Sequence, residues 1–157
     1  MTTHPPADGR IRELSRALTA ARAAFLAALD ALDAAVRDRP LVDSWNARDL
    51  VWHVAFWAEH GAHAVELAMA GRGAEFDYDT DRTDAMNAAE ATRGRSVEMP
   101  LAREREERAH ERLAAVLARL DETLLDRRLG NGDTVEEVLR YDGPDHYAEH
   151  AGHLRGA

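Results

Sequence analysis

Cysteine is missing from all 157 residues. Its absence excludes disulfides, a protein thiolate nucleophile, a CxxC redox pair, iron–sulfur ligation and every cysteine-based zinc site. Any metal must therefore bind imidazole or carboxylate. Positive charge is short as well: 29 acidic residues against 20 basic ones give a net charge of -9 and a pI of about 5.3. No broad positive field exists to attract a phosphate backbone or an anionic lipid surface, so nucleic acid is not an expected partner. Long apolar runs are lacking too, since none reaches the ~18 residues a membrane helix needs. The opening stretch from Met1 to Arg10 has neither the basic nor the apolar part of a signal peptide. The expectation is a soluble, cytoplasmic protein with no membrane partner. Period-two alternation, internal repeats, a Ser-His-Asp order, a P-loop and a dinucleotide-binding glycine motif are all absent from the sequence.

The pattern that is present is helical. Ile11, Leu14, Leu18, Ala21, Phe25, Ala28, Leu32 and Val36 recur at steps of three and four, which predicts a first helix running to the Arg39-Pro40 break. Asn46 with Asp49 predicts a capped second helix to about Gly71. Its ridge of Leu50, Val54, Trp57, Ala64 and Ala68 includes Gly61, where a neighbouring backbone can approach closely. Residues 71–95 read as a long connection in which Thr83 to Asn87 starts a short helix. Ser96 is the expected cap of a third helix, with Pro100 in its first turn and Ala102, Ala109, Leu113, Val116, Leu117 and Leu120 on its buried stripe. The charged run from Arg103 to Arg108 is expected to be a solvated face. Thr134 and Glu137 predict a capping box on a short helix, and Pro144 opens a last one after the Gly143 interruption. The reading is a flexible tail over residues 1–10 and one all-α, helical-bundle domain over 11–157.

The histidines are the chemically informative residues. His146 and His150 are four apart, so their Cβ atoms share one helical face about 5–6 Å from each other. Two imidazoles so placed can grip one ion, and a third ligand from a facing helix leaves a coordination position open, as in catalytic zinc sites. His53 is the candidate third ligand, one turn after Asp49 and one turn before Trp57 on a mostly buried helix. Taken singly, the pair also fits two surface histidines and His53 a hydrogen-bonded core residue. His60 fits a packed, solvent-facing or pocket-lining position, and His63, His110 and His4 read as surface or tail residues. Asp49 is either a simple cap or a hydrogen-bond partner of His53. Trp45, Trp52 and Trp57 read as core, with one edge of Trp57 reaching the site.

The segment from Trp45 to Trp57, WNARDLVWHVAFW, resembles the W-[ST]-x-x-D-L-x-x-H-x-x-x-W motif of the DinB-like four-helix-bundle proteins. His146-Tyr147-Ala148-Glu149-His150 resembles their C-terminal H-Y-x-E-H segment. Between them, Asp81 to Ala88 is similar to the Asp- and Asn-bearing stretch of the DfsB/ClbS-like branch. The resemblance implies a four-helix bundle with a long crossover between helices 2 and 3, and a divalent metal, zinc or nickel, held by residues matching His53, His146 and His150. It also implies a small-molecule substrate, in some relatives a low-molecular-weight thiol cosubstrate as in mycothiol-dependent maleylpyruvate isomerase, and a possible homodimer. The chain departs from the pattern at Asn46 and at Asp142-Gly143-Pro144-Asp145, where relatives keep an unbroken helix. That interruption bears on the register of His146 and makes His153 a candidate substitute ligand, though His153 also fits a solvent-facing side chain near a frayed terminus.

The functional expectation is a metal-dependent enzyme acting on small reactive electrophiles, by hydrolysis or by thiol transfer with a cosubstrate sulfur. The rival is a non-enzymatic stress-response or small-molecule-binding bundle with a structural metal or none. Within the crossover, Asp84 and Asn87 are expected either to select substrate over the open metal position or to cap a short helix.

Overall fold

Leu14, Leu18, Phe25 and Leu29 are buried along one face of the first helix, α1 (Gly9–Asp30). The structure is a computed structural model that describes residues 9–157; His4 lies outside the described residues, with most of the expected N-terminal tail. Arg10 belongs to α1 and pairs with Asp126 at 2.9 Å and with Glu136. The helix does not run unbroken to Pro40. It stops at Asp30, Asp33 turns extended, and a one-turn helix α2 (Ala34–Arg37) follows.

Asn46 accepts a hydrogen bond from the Asp49 N–H while the Asp49 carboxylate accepts one from the Asn46 N–H, both at 3.0 Å. This reciprocal cap starts α3 (Ala47–Met69), which is buried around most of its circumference. The crossover after it holds more helix than its sequence suggests: a 3-10 turn at Gly73–Glu75, then α4 (Thr80–Gly94). The Asp79 carboxylate accepts from Arg82 N at 2.8 Å and fixes where α4 begins. Its buried residues are only Glu90 and Gly94, so it has no apolar stripe for a periodicity reading to find.

The next helix, α5 (Met99–Arg119), is entered through an extended Glu98 rather than capped by Ser96. Pro100 sits in its first turn, where a missing N–H costs nothing. The charged run on α5 is a solvated face only in part. Glu104 and Arg108 form the exposed surface pair, but Glu106 is 1% exposed. Spacing explains this, since Glu106 lies four after Ala102 and three before Ala109 on the buried stripe.

The chain ends in α6 (Val135–Asp142), opened by the Thr134–Glu137 capping box, and α7 (Pro144–Arg155). Leu32 and Val36, which flank the break after α1, line one recess with Leu154 of α7. In the core α3 packs against α5 and α1 against α7, with α4 and α6 laid on α3. The four bundle positions are thus α1, α3, α5 and the broken α6–α7 rod. Among the described residues there is no strand, only the isolated bridges Val42–Trp45 and Arg128–Thr134. No described helix is long and apolar enough to cross a membrane.

Gly143 makes the break in the rod. A Cβ there would lie 2.7 Å from the Leu139 carbonyl oxygen, a backbone atom with no room to yield. Gly143→Ala is therefore expected to destabilise the fold by about 1–3 kcal/mol, the cost of overpacking a tight site. Urea unfolding measures this; an unchanged midpoint would show that the break tolerates a side chain.

Candidate metal centre

The N-terminal cap of α3 places His53 almost two turns into that helix, on the side facing α7. Pro144 starts α7, so His146 and His150 project one turn apart toward His53. The interruption at Gly143 leaves the register of His146 intact. The three imidazoles each offer one ligand nitrogen, all within 4.8 Å of one another. Ring centroids are 4.6 Å apart for His53–His146, 4.9 Å for His53–His150 and 4.8 Å for His146–His150. His53 Nε2 and His146 Nε2 stand 2.8 Å apart, so one carries the proton and the other accepts it.

His153 is not part of this cluster. Its Nδ1 lies 3.1 Å from Nδ1 of His150, behind the site. A contact at Nδ1 leaves Nε2 as the free ring nitrogen of His150. His153 therefore stands beside His150 and outside the group of three whose nitrogens could share an ion.

Aromatic side chains enclose the cluster. The Trp45 ring is 4.4 Å from that of His53, and the Trp57 ring lies 6.4 Å from His53 and 6.2 Å from His146. Trp57 Nε1 donates to Asn87 Oδ1 at 2.7 Å, tying α4 to this wall. Farther along α4, Glu90, Ala91 and Gly94 share a small recess with Trp45, Trp52 and His53. The crossover therefore lies beside the triad, as expected, yet its contributions differ from the expectation. Asn87 acts through Trp57, and Asp84 is exposed. Asp49 spends its oxygens on Asn46 N and Arg48, which is the capping role.

Burial and mutual repulsion decide the charge of the triad. Burial, then the neighbouring His146 and His150, lowers the pKa of His53 to about 2. Burial and His150 lower that of His146 to about 3, and burial and His153 lower that of His150 to about 4. All three are neutral at pH 7 and present lone pairs, the state a metal requires. The ordinary histidine pKa of about 6.5 places proton competition for the metal below that pH; burial moves it well lower. Stability behaves differently. The unfolded chain takes up these protons below about pH 6.5 while the folded chain does not, so stability is complete above that pH and falls as pH drops toward the folded values. The metal-free protein should lose thermal stability between about pH 7.5 and about pH 5, and His53→Ala should flatten that profile. Equal slopes in the two proteins would show that the triad is not the source.

Other histidines were only partly legible. His63 is exposed, as expected; His110 is half-buried rather than superficial, its Nδ1 without a partner among the described residues. Burial, then the nearby Arg22 charge, lowers its pKa. His60 contacts Asp142 Oδ2 through Nδ1 at 2.9 Å. Gly61 admits this contact, since a Cβ there would meet the Asp142 Cβ at 3.0 Å. The close approach foreseen at Gly61 is thus made by a side chain. Asp142 carried no signal of its own, because its meaning depends on α6 crossing α3.

The comparisons with known proteins bear on the fold and its family. The model of the DinB superfamily matches residues 17–155. No curated protein matches the chain. A crystal structure of an uncharacterised protein from Escherichia coli UTI89 is similar over 99% of this chain and 95% of its own, with a TM-score of 0.79 at 14% identity. That likeness is one of fold. With the family model spanning nearly all of the described helices, the chain belongs to the DinB superfamily.

Proposed function

We infer that the protein is a divalent-metal-dependent enzyme acting on small reactive electrophiles at His53, His146 and His150, by hydrolysis or by transfer of a thiol. The observation that carries this reading is the donor set: three neutral imidazoles, His150 buried and His53 and His146 half-buried, whose polar contacts within the site are with other imidazoles. Three nitrogen donors with no fourth ligand among the described residues fit zinc or nickel and match open catalytic sites rather than closed structural ones. A divalent ion held there would supply Lewis acidity, acidifying a water or a thiol and polarising a carbonyl.

The chain's own residues do the remaining work. His153 contacts Nδ1 of His150 and would position it, Asn87 holds Trp57 by its indole N–H, and the Trp45 and Trp57 rings stand against the triad. In a thiol-transfer reaction the sulfur must come from a low-molecular-weight cosubstrate, because the chain has no cysteine. The resemblance to thiol-dependent transferases and isomerases supports that branch; the hydrolytic branch needs only water.

The test is turnover of a small panel of electrophiles, such as an epoxide, a strained cyclopropane and an unsaturated carboxylate, with and without an added thiol. Turnover should vanish on chelation, return on reloading with zinc or nickel, and be absent in His53→Ala. Turnover indifferent to both chelation and His53 would contradict the assignment.

A further inference from the structure

The triad does not use an aromatic-lined cavity beside it. A space of about 240 Å³ opens on the other side of Trp57, against the crossover and α6. Its walls include Trp57, Phe76, Tyr78 and Tyr141, and its charged residues beyond the His60–Asp142 pair are Asp79 and Asp133. No arginine lines it, although arginine supplies all 20 positive side chains of the chain. Arg82 stands nearby, its guanidinium 4.4 Å above the Tyr78 ring and donating to the Asp77 carbonyl.

His60 forms part of this wall, with its side chain only 9% exposed. Its ring lies 4.7 Å from Trp57, 4.7 Å from Phe76 and 4.9 Å from Tyr78. Nδ1 is held by Asp142, and Nε2 is buried with no hydrogen-bond partner among the described residues. Buried polar atoms without a partner are rare in native proteins and call for an explanation, and this one belongs to a residue that lines the cavity. In the tautomer that donates Nδ1–H to the carboxylate, Nε2 is an acceptor and asks for a donor.

We propose that this cavity is a binding site for a small organic cation, a primary ammonium carried on a flat apolar body. The ammonium donates to His60 Nε2 and is balanced by Asp79 and Asp133. The flat body lies among the aromatic rings, whose faces also attract positive charge. Asp79 Oδ1 accepts from the Arg82 backbone N–H and Asp133 Oδ2 from the Asn131 side chain, so the polar partners of both carboxylates are neutral groups. An anion is disfavoured there by the same two aspartates. Among the described residues, His60, Asp79, Asp133 and Asp142 do not form a group with ligand atoms close enough to share a metal ion. The site goes beyond the metal reading and does not depend on it.

Titration calorimetry of the full chain with benzylammonium, benzyl alcohol and benzoate tests this, with imidazole ¹⁵N shifts of His60 as a second readout. Benzylammonium should bind at least tenfold more tightly than benzyl alcohol and shift the His60 Nε2 resonance, and benzoate should not bind. Asp133→Asn, or Asp79→Asn if the first variant is unfolded by circular dichroism, should bring benzylammonium down to the level of the alcohol. His53→Ala should leave its affinity unchanged, which separates this site from the triad. Equal binding of all three probes, no binding of benzylammonium at millimolar concentration, or full affinity in both aspartate variants would overturn the proposal.

Discussion

Replacing His53 with alanine is expected to abolish tight binding of a divalent ion, while the helical bundle stays folded. His53 is the only member of the triad on α3; His146 and His150 both come from α7. Without it the remaining pair is a two-donor site on one helix face, and the affinity contributed by bridging two helices is gone. Losing a residue that merely orients a ligand costs roughly 10–100-fold in metal affinity, and losing the ligand itself costs more. His153→Ala supplies the graded comparison: its imidazole touches only Nδ1 of His150, so it should fall within that 10–100-fold range. Competition against a chromogenic chelator measures both. Wild-type affinity in His53→Ala would remove it from the site, and an effect of His153→Ala as large as that of His53→Ala would make His153 a ligand.

Glu106→Ala should be among the most destabilising single substitutions in the chain. Glu106 accepts from Arg22 Nε at 2.6 Å and Nη2 at 2.9 Å, and from the Tyr147 hydroxyl at 2.7 Å. Burial, and then the Glu106 charge, pushes the Tyr147 phenol well above its ordinary pKa, so it stays a donor. The bond to Glu106 likewise raises the pKa of Arg22. Removing the carboxylate strands a buried hydroxyl and a partly buried guanidinium. Breaking a buried ion pair from one side costs about 3–5 kcal/mol. The Arg22 side chain is 21% exposed and regains some water, which favours the lower end. For a domain of this length about 3 kcal/mol corresponds to a drop in Tm of roughly 6–12 °C. Tyr147 follows His146 directly on α7, so the same substitution should loosen the triad and weaken metal binding. Chemical unfolding that gives a loss under about 1 kcal/mol would mean that Glu106 is dispensable, against the buried-pair expectation.

What could be read from the sequence divides along a physical line. Features encoded within one turn of helix were legible: the Asn46–Asp49 and Thr134–Glu137 boxes, the Pro144 start, and His146 and His150 on one face. The buried stripes of α1, α3 and α5 were legible because their apolar spacing is regular. Helix α4 was mostly missed, since its stability comes from alanine content and the Asp79 cap rather than from an apolar face. Contacts between helices distant in sequence were not readable one residue at a time. His60–Asp142, Trp57–Asn87 and the Arg22–Glu106–Tyr147 cluster join residues separated by 82, 30, 84 and 41 positions. The triad is the exception, since it spans 93 positions and was reached through the family resemblance together with the helical spacing. Glu106 carried a usable signal in its place on the Ala102–Ala109 stripe, outweighed by the five charged residues around it.

The most direct test of the account is X-ray absorption at the metal edge of the protein loaded with zinc or nickel and purified from excess ion. The account predicts one ion per chain with three imidazole nitrogens in its first coordination sphere, reduced to at most two in His53→Ala. A stoichiometry near zero, or a coordination sphere of oxygen atoms unchanged by that substitution, would contradict the assignment of His53, His146 and His150 as a metal centre.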